Sequence, residues 1–327
     1  MTRISYLEAG RQALAEEMRR DPLVWAVGED LGRGGVFGQY RGLAEEFGSD
    51  RISDAPISEA AILGAAVGAA MSGTRPVVEM RFSDFALCAM DELINQAAKA
   101  RFMFGGQTRV PLVVREPIGM WRSSAAQHSQ SLEAWYAHVP GLVVACPSTA
   151  ADNKGLLKAA IRCDDPVVYM EHKGLWPLED DVPDDPDFVL PFGQARIVRE
   201  GRDLTLVSWS GQVHVAAEAA ASLAAAGISV ELIDLRTLWP WDRDAVIRSV
   251  RKTGRLLVTH EAVAVAGFGA EIVATVAEHA AADLRSPVRR LGAPRAPIAY
   301  APPAEDAVRV TATAIAAAVR DMVTSRD

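Results

Sequence analysis

The chain has 327 residues, of which 50% are hydrophobic and 23% are charged, a composition usual for a globular protein with a sizeable core. Its formal net charge of -8 argues against nucleic acid or an anionic membrane as the main partner. The longest stretch of small apolar residues, 60–71, is shorter than the roughly 20 residues that a membrane-spanning helix needs. The first residues, Met-Thr-Arg-Ile-Ser, lack the apolar core of a secretory signal, and we expect a cytoplasmic protein.

Three cysteines, Cys88, Cys146 and Cys163, lie in apolar sequence surroundings and lack the C-x-x-C spacing of many metal sites. This pattern favours buried thiols in a reducing compartment. It argues against a disulfide framework or a cysteine-bound metal.

The first half of the chain alternates short β-branched runs with amphipathic helical patterns, as parallel α/β folds do. The runs are unbroken in apolar character, which is typical of strands covered by helices on both faces. The predicted strands are residues 23–27, 76–80, 110–115, 142–146 and 166–170. The predicted helices are residues 6–20, 58–71, 90–102 and 150–162.

Residues 178–187 are acidic, contain two prolines and lack apolar periodicity, which predicts an interdomain linker. After it the alternation restarts. The predicted strands are residues 204–209, 229–234, 256–260 and 288–291, and the predicted helices are residues 213–226, 242–251, 270–282 and 305–323. We therefore predict two α/β domains of unequal size, residues 1–177 and 191–327, joined by a linker at 178–190.

The run Asp54-Ala-Pro-Ile-Ser-Glu59 opens the helix predicted at 58–71. Ser58 suits the capping position, and Glu59 then lies in the first turn, where the helix dipole favours a carboxylate. That stabilising role alone would explain an acidic residue here. Gly64 and Gly68, however, indicate that another backbone approaches the helix closely, so we expect Glu59 to be desolvated, as functional carboxylates often are.

His128 follows a polar loop, residues 118–125, that lies beyond the strand predicted at 110–115. Loops at the carboxyl ends of parallel strands are where α/β folds bind ligands. A histidine there suits general acid or base chemistry near neutral pH, although a loop histidine held only by hydrogen bonds fits the pattern equally. His260, beside Glu261 at the end of a later strand, could reach an interface.

Several common motifs are absent from the sequence. The glycines of residues 32–38 lack the G-x-G-x-x-G register, so a dinucleotide fingerprint is not supported. The sequence also has no P-loop, no G-x-S-x-G elbow and no H-E-x-x-H zinc motif.

Ordered stretches along nearly the whole chain resemble the beta subunits of the pyruvate, branched-chain 2-oxoacid and acetoin dehydrogenase family, which depends on thiamine diphosphate. The resemblance is carried by residues 28–30, 34–37, 51–59, 127–131, 140–142, 147–149, 155–161, 234–238, 249–255, 267–272, 302–303 and 305–306. It implies an α/β fold made of a transketolase-type pyrimidine-binding domain followed by a transketolase C-terminal domain.

The resemblance also implies roles for individual residues. Glu59 would hydrogen-bond the ring nitrogen of the cofactor's aminopyrimidine and favour the tautomer that takes the proton from the thiazolium carbon. Phe85 would pack on the pyrimidine ring, and Cys88 would lie beside that pocket. His128 would face the substrate and assist proton transfer or the reaction with a lipoyl group.

A potassium site built from backbone carbonyls is a further implication of the resemblance. Its residues would be Leu112, Ala160, Ile161, Cys163 and Asp165. The Gly-Asp-Gly motif and later Asn with which the family binds diphosphate and magnesium do not occur in the sequence. An alpha subunit would therefore hold the magnesium, share the thiamine diphosphate, and form a heterotetramer of two alpha and two beta chains.

The implied reaction is decarboxylation of a pyruvate-like or branched-chain 2-oxoacid, followed by reductive acylation of a lipoyl group on a dihydrolipoyl acyltransferase. The chain departs from the family at Cys88, Trp121 and Arg122, and Arg81 could face the pocket or a carboxylate such as Asp84. These positions bear on substrate choice rather than on the cofactor.

Two alternatives stay open from the sequence. The first is a stand-alone thiamine-diphosphate enzyme that makes or cleaves acyloins without a lipoyl partner. The second is a non-catalytic subunit that docks a partner, against which the presence of Glu59, Phe85 and His128 counts.

Overall fold

The computed structural model of the chain describes residues 1–324, which form two compact units. Unit 1 comprises Met1–Ile118 and Trp135–Phe192, and unit 2 comprises Gly119–Ala134 and Gly193–Asp327. Residues 119–134, which lie within the first predicted domain, thus belong to unit 2.

The strands before residue 193 are β1 (Thr2–Ser5), β2 (Val24–Gly28), β3 (Ile52–Asp54), β4 (Arg75–Glu79), β5 (Val113–Ile118), β6 (Val143–Ala145), β7 (Val167–His172) and β8 (Glu179–Val182). The helices in the same part of the chain are α1 (Tyr6–Arg20), α2 (Leu43–Phe47), α3 (Glu59–Met71), α4 (Ser83–Ala86), α5 (Ala98–Met103), α6 (Glu133–Ala137) and α7 (Ala150–Arg162).

Six of these strands form one parallel sheet in the order β6-β7-β5-β4-β2-β3. Strands β5 and β7 are buried at every position, as expected for strands covered on both faces. On one side α1 and α7 contribute Leu14, Met18, Leu156 and Ile161 to a single buried cluster. The predicted parallel α/β fold is confirmed, and α7 has the bounds that the sequence predicts.

The acidic segment predicted as a linker contains a strand. Strand β8 pairs antiparallel with β1, with Thr2 opposite Val182 and Ser5 opposite Glu179. Arg3 Nε lies 3.3 Å from the Glu179 carboxylate, so a basic residue far away in sequence faces the acidic run. The segment is thus partly a structural element of unit 1.

The strands of unit 2 are β9 (Arg196–Arg199), β10 (Leu204–Ser208), β11 (Val230–Asp234), β12 (Thr237–Trp239), β13 (Leu256–Val263) and β14 (Arg289–Ala293). Its later helices are α8 (Gln212–Ala225), α9 (Arg243–Thr253), α10 (Gly269–Ala280), α11 (Pro302–Val308) and α12 (Ala312–Thr324). Five strands form a sheet in the order β14-β13-β10-β11-β9, in which the edge strand β9 alone is antiparallel to its neighbour.

The predicted helix at 305–323 is wrong in one respect, because two helices occupy this region. Helix α11 ends at Val308, and Arg309 has extended backbone angles. Helix α12 follows after Thr311, whose hydroxyl accepts a hydrogen bond from the Ala314 amide at 3.2 Å. A threonine cap thus starts a new helix where the apolar period seemed continuous.

The predicted helix at 90–102 also differs from the structure. It consists of a π-helical stretch, Asp91–Ala97, followed by α5. The wider turn changes which side chains share a face of the helix.

All three cysteines are free, but Cys88 is exposed, whereas Cys146 is buried and Cys163 is partly buried. The expectation of three buried thiols is therefore wrong for Cys88, which lies in a short 3-10 turn with its side chain on the outside. Within residues 1–324, no helix has both the length and the apolar character needed to cross a membrane.

Candidate active site

Successive strands are added on opposite sides of β2 in the sheet of unit 1. Strand β3 lies on one side of β2, and β4 lies on the other. In parallel α/β sheets, ligands bind beyond the carboxyl ends of the strands at such a reversal. The connections that leave these strands carry Glu29, Glu59 and Phe85.

Glu59 lies in the first turn of α3, where the helix dipole favours its negative charge. Ser58 does not cap this helix, because its hydroxyl donates a hydrogen bond to the Pro56 carbonyl at 2.9 Å. The Glu59 side chain is partly exposed within the chain. The expected desolvation of this carboxylate is therefore not provided by the described residues of the chain.

Glu29, which follows β2, lies close enough to Glu59 for the two carboxylates to interact. Burial raises the pKa of Glu29, the negative charges of Glu59 and Asp30 add to this effect, and Arg81 opposes it. Arg81 lies 3.1 Å from the Glu29 carboxylate and 2.6 Å from that of Asp30. The alternative of an Arg81–Asp84 pair is thus replaced by pairing with the two acids that follow β2.

Aromatic side chains line the same edge of the sheet. The ring of Phe85 lies 5.5 Å from that of Phe82, which in turn lies 6.0 Å from Phe37. Phe37 packs against Trp176 at 4.5 Å, and the buried ammonium group of Lys173 lies 4.6 Å from the centre of the Phe82 ring. Such a wall suits stacking on a heteroaromatic ring. Sequence reasoning did not identify Lys173 or Trp176, which follow β7.

A buried network of charged groups lies within the sheet. Arg115 donates two hydrogen bonds to one oxygen of Glu171, and its other nitrogen lies 3.6 Å from Glu79. The Tyr40 hydroxyl donates to Glu79 at 2.9 Å. Burial raises the pKa of Glu79 to about 7, although Arg115 lowers it. These contacts join β4, β5 and β7 beneath the candidate site.

Helix α3 is apolar on all sides and presents small residues outward. Ala61 and Ala65 are exposed, and a methyl group added at Gly68 would meet no described atom within 4 Å. At Gly64 it would meet only Glu92, at 3.5 Å. The close backbone approach that the glycines predict is therefore not found within residues 1–324. A helix with such a surface is typical of one covered by another element.

His128 belongs to unit 2, in a loop with unusual backbone geometry. Arg122, Ser123 and Ala125 all have positive φ, which is costly for residues other than glycine and is often found at functional sites. The side chain of His128 is partly buried. The guanidinium group of Arg122 lies 4.6 Å from the centre of the Trp121 ring, so these two bulky residues stack on each other.

Two buried contacts hold the ends of this loop. The Met120 amide donates to the Glu261 carboxylate at 2.6 Å, and the indole nitrogen of Trp209 donates to Glu133 at 3.0 Å. Trp209 stacks on His260, with ring centres 5.1 Å apart. A well-supported loop can present His128 in a defined position.

His260 is fully buried, so the prediction that it reaches an interface is wrong. Its Nδ1 lies 3.0 Å from the Ala262 carbonyl, and burial lowers the pKa of the imidazole to about 4. His260 lies in β13, one residue before Glu261, and its ring faces the interior of unit 2.

A cavity of about 550 Å³ opens within unit 2 beside the His128 loop. Gln127 and Ser129 line one side of it, and Glu261, Arg295 and Ile298 line the other. Its volume and its mixture of apolar and polar walls are typical of small-molecule sites.

Two of the carbonyls predicted to bind potassium accept hydrogen bonds from a cationic side chain. One guanidinium nitrogen of Arg75 donates to the carbonyls of Ile161 and Cys163, at 3.1 and 3.0 Å. The Leu112 carbonyl accepts from a β7 amide, and the Ala160 carbonyl accepts from the Cys163 amide. Each carbonyl keeps a second lone pair, so this region attracts cations but is already partly satisfied.

The carboxylate of the fifth predicted ligand, Asp165, accepts a hydrogen bond from Arg101 at 2.6 Å. Elsewhere in residues 1–324, no group of three or more histidine, cysteine or acidic side chains is arranged to hold a metal ion. The described residues of this chain thus place an acid and an aromatic wall at one edge of the sheet, and they contain no cluster of side chains for a metal ion.

Comparison with known families agrees with the fold. The family model described as transketolase, pyrimidine binding domain, matches residues 2–179, and that of the transketolase C-terminal domain matches residues 193–315. The structure is similar to one described as a split gene transketolase, inactive beta4 tetramer, with a TM-score of 0.79, 23% sequence identity and 98% of each chain covered.

Two curated relatives match along almost their entire length. The chain is 44% identical to the beta subunit of acetoin:2,6-dichlorophenolindophenol oxidoreductase of Cupriavidus necator, over 97% of each chain. It is 43% identical to the beta subunit of 2-oxoisovalerate dehydrogenase of Bacillus subtilis, over 98% of this chain and 99% of the relative. Likeness of this extent concerns both domains and their order.

Proposed function

The chain belongs to the beta subunits of the thiamine-diphosphate-dependent 2-oxoacid dehydrogenase family, and from this premise we propose how its residues act. It pairs with an alpha subunit as two alpha and two beta chains. Together they decarboxylate a small 2-oxoacid and transfer the acyl group reductively to a lipoyl group of a dihydrolipoyl acyltransferase. The free cysteines fit a reducing compartment, and we propose the cytoplasm.

The observation that carries this proposal is the convergence of Glu59 and Phe85 at the point where the sheet order reverses. Glu59 offers a carboxylate acceptor at the positive end of a helix, and Phe85 belongs to an aromatic wall. These are the groups that the cofactor's pyrimidine needs in its imino tautomer, namely an acceptor for the ring N–H and a surface for stacking. When bound, thiamine diphosphate supplies the carbon nucleophile and the electron sink.

Within unit 1, Glu59 would accept the hydrogen bond from the pyrimidine ring and hold a proton there. Glu29 lies close to Glu59, and burial raises the pKa of Glu29 while Arg81 opposes this shift. Arg81 fixes Glu29 and Asp30, so it would act through the acids rather than on the substrate.

Within unit 2, His128 would donate or accept a proton on the substrate side or during the reaction with the lipoyl group. The cavity beside its loop would admit a small acid, and Trp121 and Arg122 would shape access to the loop.

The alpha subunit would supply the ligands of magnesium and the diphosphate. This division is what the resemblance to the family implies. The exposed small-residue face of α3 gives a partner a surface to cover, and covering it would desolvate the neighbouring Glu59. We also propose potassium as a structural ion near Ile161 and Cys163, where it would share carbonyls with Arg75.

The test is co-expression with the candidate alpha subunit, followed by titration with thiamine diphosphate and magnesium. Decarboxylation of a panel of 2-oxoacids is recorded with an artificial electron acceptor. Each chain alone should be inactive, and the complex should turn over one or more of the acids. Cofactor binding without decarboxylation of any acid would contradict the dehydrogenase assignment.

A second candidate function, acetoin oxidation, is favoured by the name of the Cupriavidus necator relative, which is as similar to this chain as the 2-oxoisovalerate relative is. Acetoin therefore belongs in the same panel. Turnover of acetoin in preference to every 2-oxoacid would replace the first candidate with the second.

A further inference from the structure

We propose that Glu116 is a positioning residue that, together with Ser83 and Tyr136, fixes the α4 turn carrying Phe85. This inference rests on the proposed function, because Phe85 matters only if unit 1 binds the pyrimidine ring. Nothing in the sequence pattern draws attention to Glu116, which lies beside Arg115 in strand β5.

The location of Glu116 is unusual for an acid. It lies in β5 with its side chain fully buried, on the face opposite to its neighbour Arg115. Arg115 uses its charge on Glu171 and Glu79, so it does not neutralise Glu116. Burying a carboxyl group in such surroundings lowers the stability of the fold unless the group forms hydrogen bonds with its neighbours.

Three buried polar side chains meet at this point. Both carboxyl oxygens of Glu116, the Ser83 hydroxyl and the Tyr136 hydroxyl are shielded from solvent, and none of them has a hydrogen-bond partner of good geometry among the described residues. The two hydroxyls are nevertheless near enough to lower the pKa of Glu116. Polar groups that are buried together in this way can be joined by one internal water, which can make up to four hydrogen bonds. We infer that a bridging water connects the three.

The protonation state decides how such a cluster behaves. Burial raises the pKa of Glu116 to about 8; the two hydroxyls lower it, and the negative charge of Asp84 raises it further. At neutral pH the acid is therefore mostly protonated and donates a hydrogen bond into the cluster. Above that pH its charge would stand beside Asp84 in α4, and like charges in a buried site repel.

The cluster is linked to the candidate site because Ser83 lies only two positions before Phe85 in the chain. Ser83 begins α4, and Phe85 is its third residue. The Phe85 amide donates to the Phe82 carbonyl at 3.0 Å, and the two rings are in contact. A shift of Ser83 would therefore move the rings of Phe82 and Phe85 in the aromatic wall. Small displacements of this kind strongly weaken binding that depends on orientation.

The experiment measures thiamine diphosphate affinity of the complete alpha–beta complex between pH 6.5 and 9.5, with magnesium saturating. Only the protonated fraction of Glu116 is competent, and one pH unit above its pKa that fraction is roughly a tenth, so the wild-type dissociation constant should rise roughly tenfold by pH 9. Glu116→Gln keeps a neutral hydrogen-bonding group and should hold the pH 7 affinity up to pH 9.

Glu116→Ala removes the group and should weaken binding roughly tenfold at every pH, with Glu116→Gln as the rescue. Tyr136→Phe should give a smaller loss of the same kind. Glu45→Gln, an exposed acid in the first turn of α2, is the matched control and should follow the wild-type profile. The infrared band of protonated buried carboxyls at pH 7 should lose intensity in Glu116→Gln, where Glu79 still contributes to it, and this loss checks the protonation without cofactor.

A Glu116→Gln complex that loses affinity with pH as the wild type does would overturn the inference, and so would Glu116→Ala binding at wild-type strength. Either result would leave the proposed function standing. A wild-type complex that binds no thiamine diphosphate at any pH would overturn both.

Discussion

Arg115 donates two hydrogen bonds, at 2.6 and 2.9 Å, to a single carboxylate oxygen of Glu171, and both side chains are buried. These residues lie in neighbouring strands at the centre of the sheet of unit 1. Because neither charge reaches solvent, each depends on the other, and the pair ties two strands together directly beneath the candidate site.

Removing one partner of this pair should therefore be costly. We expect Arg115→Met to lower the free energy of unfolding by about 3–5 kcal/mol, since Glu171 and Glu79 would remain buried without a cation. Urea-induced unfolding measures the change. Arg19→Met, which breaks the exposed Arg19–Glu46 pair, is the control and should cost less than about 1 kcal/mol. Equal effects of the two variants would refute the argument.

Glu59→Gln should leave the alpha–beta assembly intact and lower turnover by about 100-fold or more, because the amide cannot hold the proton at the pyrimidine. Steady-state decarboxylation measures the loss, and size-exclusion chromatography checks assembly. Glu45→Gln also changes a first-turn glutamate in unit 1 and should be neutral. Normal turnover of Glu59→Gln would remove this residue from the mechanism.

His128→Ala should slow the reaction with a lipoyl acceptor by about 100-fold, while thiamine diphosphate affinity changes less than about twofold. The contrast follows from its proposed role in proton transfer rather than in cofactor binding. Stopped-flow acylation of an isolated lipoyl domain and cofactor titration are the two measurements. His138→Ala, at an exposed position, is the comparison. An unchanged rate in His128→Ala would place His128 outside the chemistry.

His260 should make stability fall at acid pH. Burial depresses its pKa to about 4 from an ordinary 6.5, so the unfolded chain binds the proton more readily than the folded chain. The stabilisation is complete above pH 6.5 and is lost as the pH falls toward 4, by about 2 kcal/mol between pH 7 and 5.

Urea unfolding of the wild type and of His260→Asn, at pH 7 and 5, isolates this effect. The asparagine amide can still donate to the Ala262 carbonyl but does not titrate. The variant should lose less stability between the two pH values than the wild type does. Equal losses would show that the histidine is not the source.

Local patterns allowed much of the fold to be predicted. The helix at 150–162 has an apolar period and a threonine cap, and the structure reproduces its bounds. Strands β5 and β7 are buried at every position because helices cover both faces, and the apolar pairs with which they begin are visible in sequence. The position of Glu59 at the start of α3 could likewise be predicted from its neighbours.

What the sequence did not reveal depends on contacts between distant residues. Strand β8 is acidic and has no apolar period, and it forms because β1 pairs with it from the other end of the unit. The Arg115–Glu171 pair spans 56 positions, and Glu116 meets Ser83 and Tyr136 only through the fold. Burial of such polar groups has no local signature.

Gly68 places two kinds of selection in conflict. It occupies the interior of α3, where glycine is less favourable than alanine by about 1 kcal/mol, and a methyl group there would meet open space in the chain alone. Directed evolution for heat tolerance of the lone chain would therefore accept alanine at this position. Selection for growth that depends on the assembled enzyme would reject alanine at this position wherever a partner chain occupies the space that the added methyl group would fill.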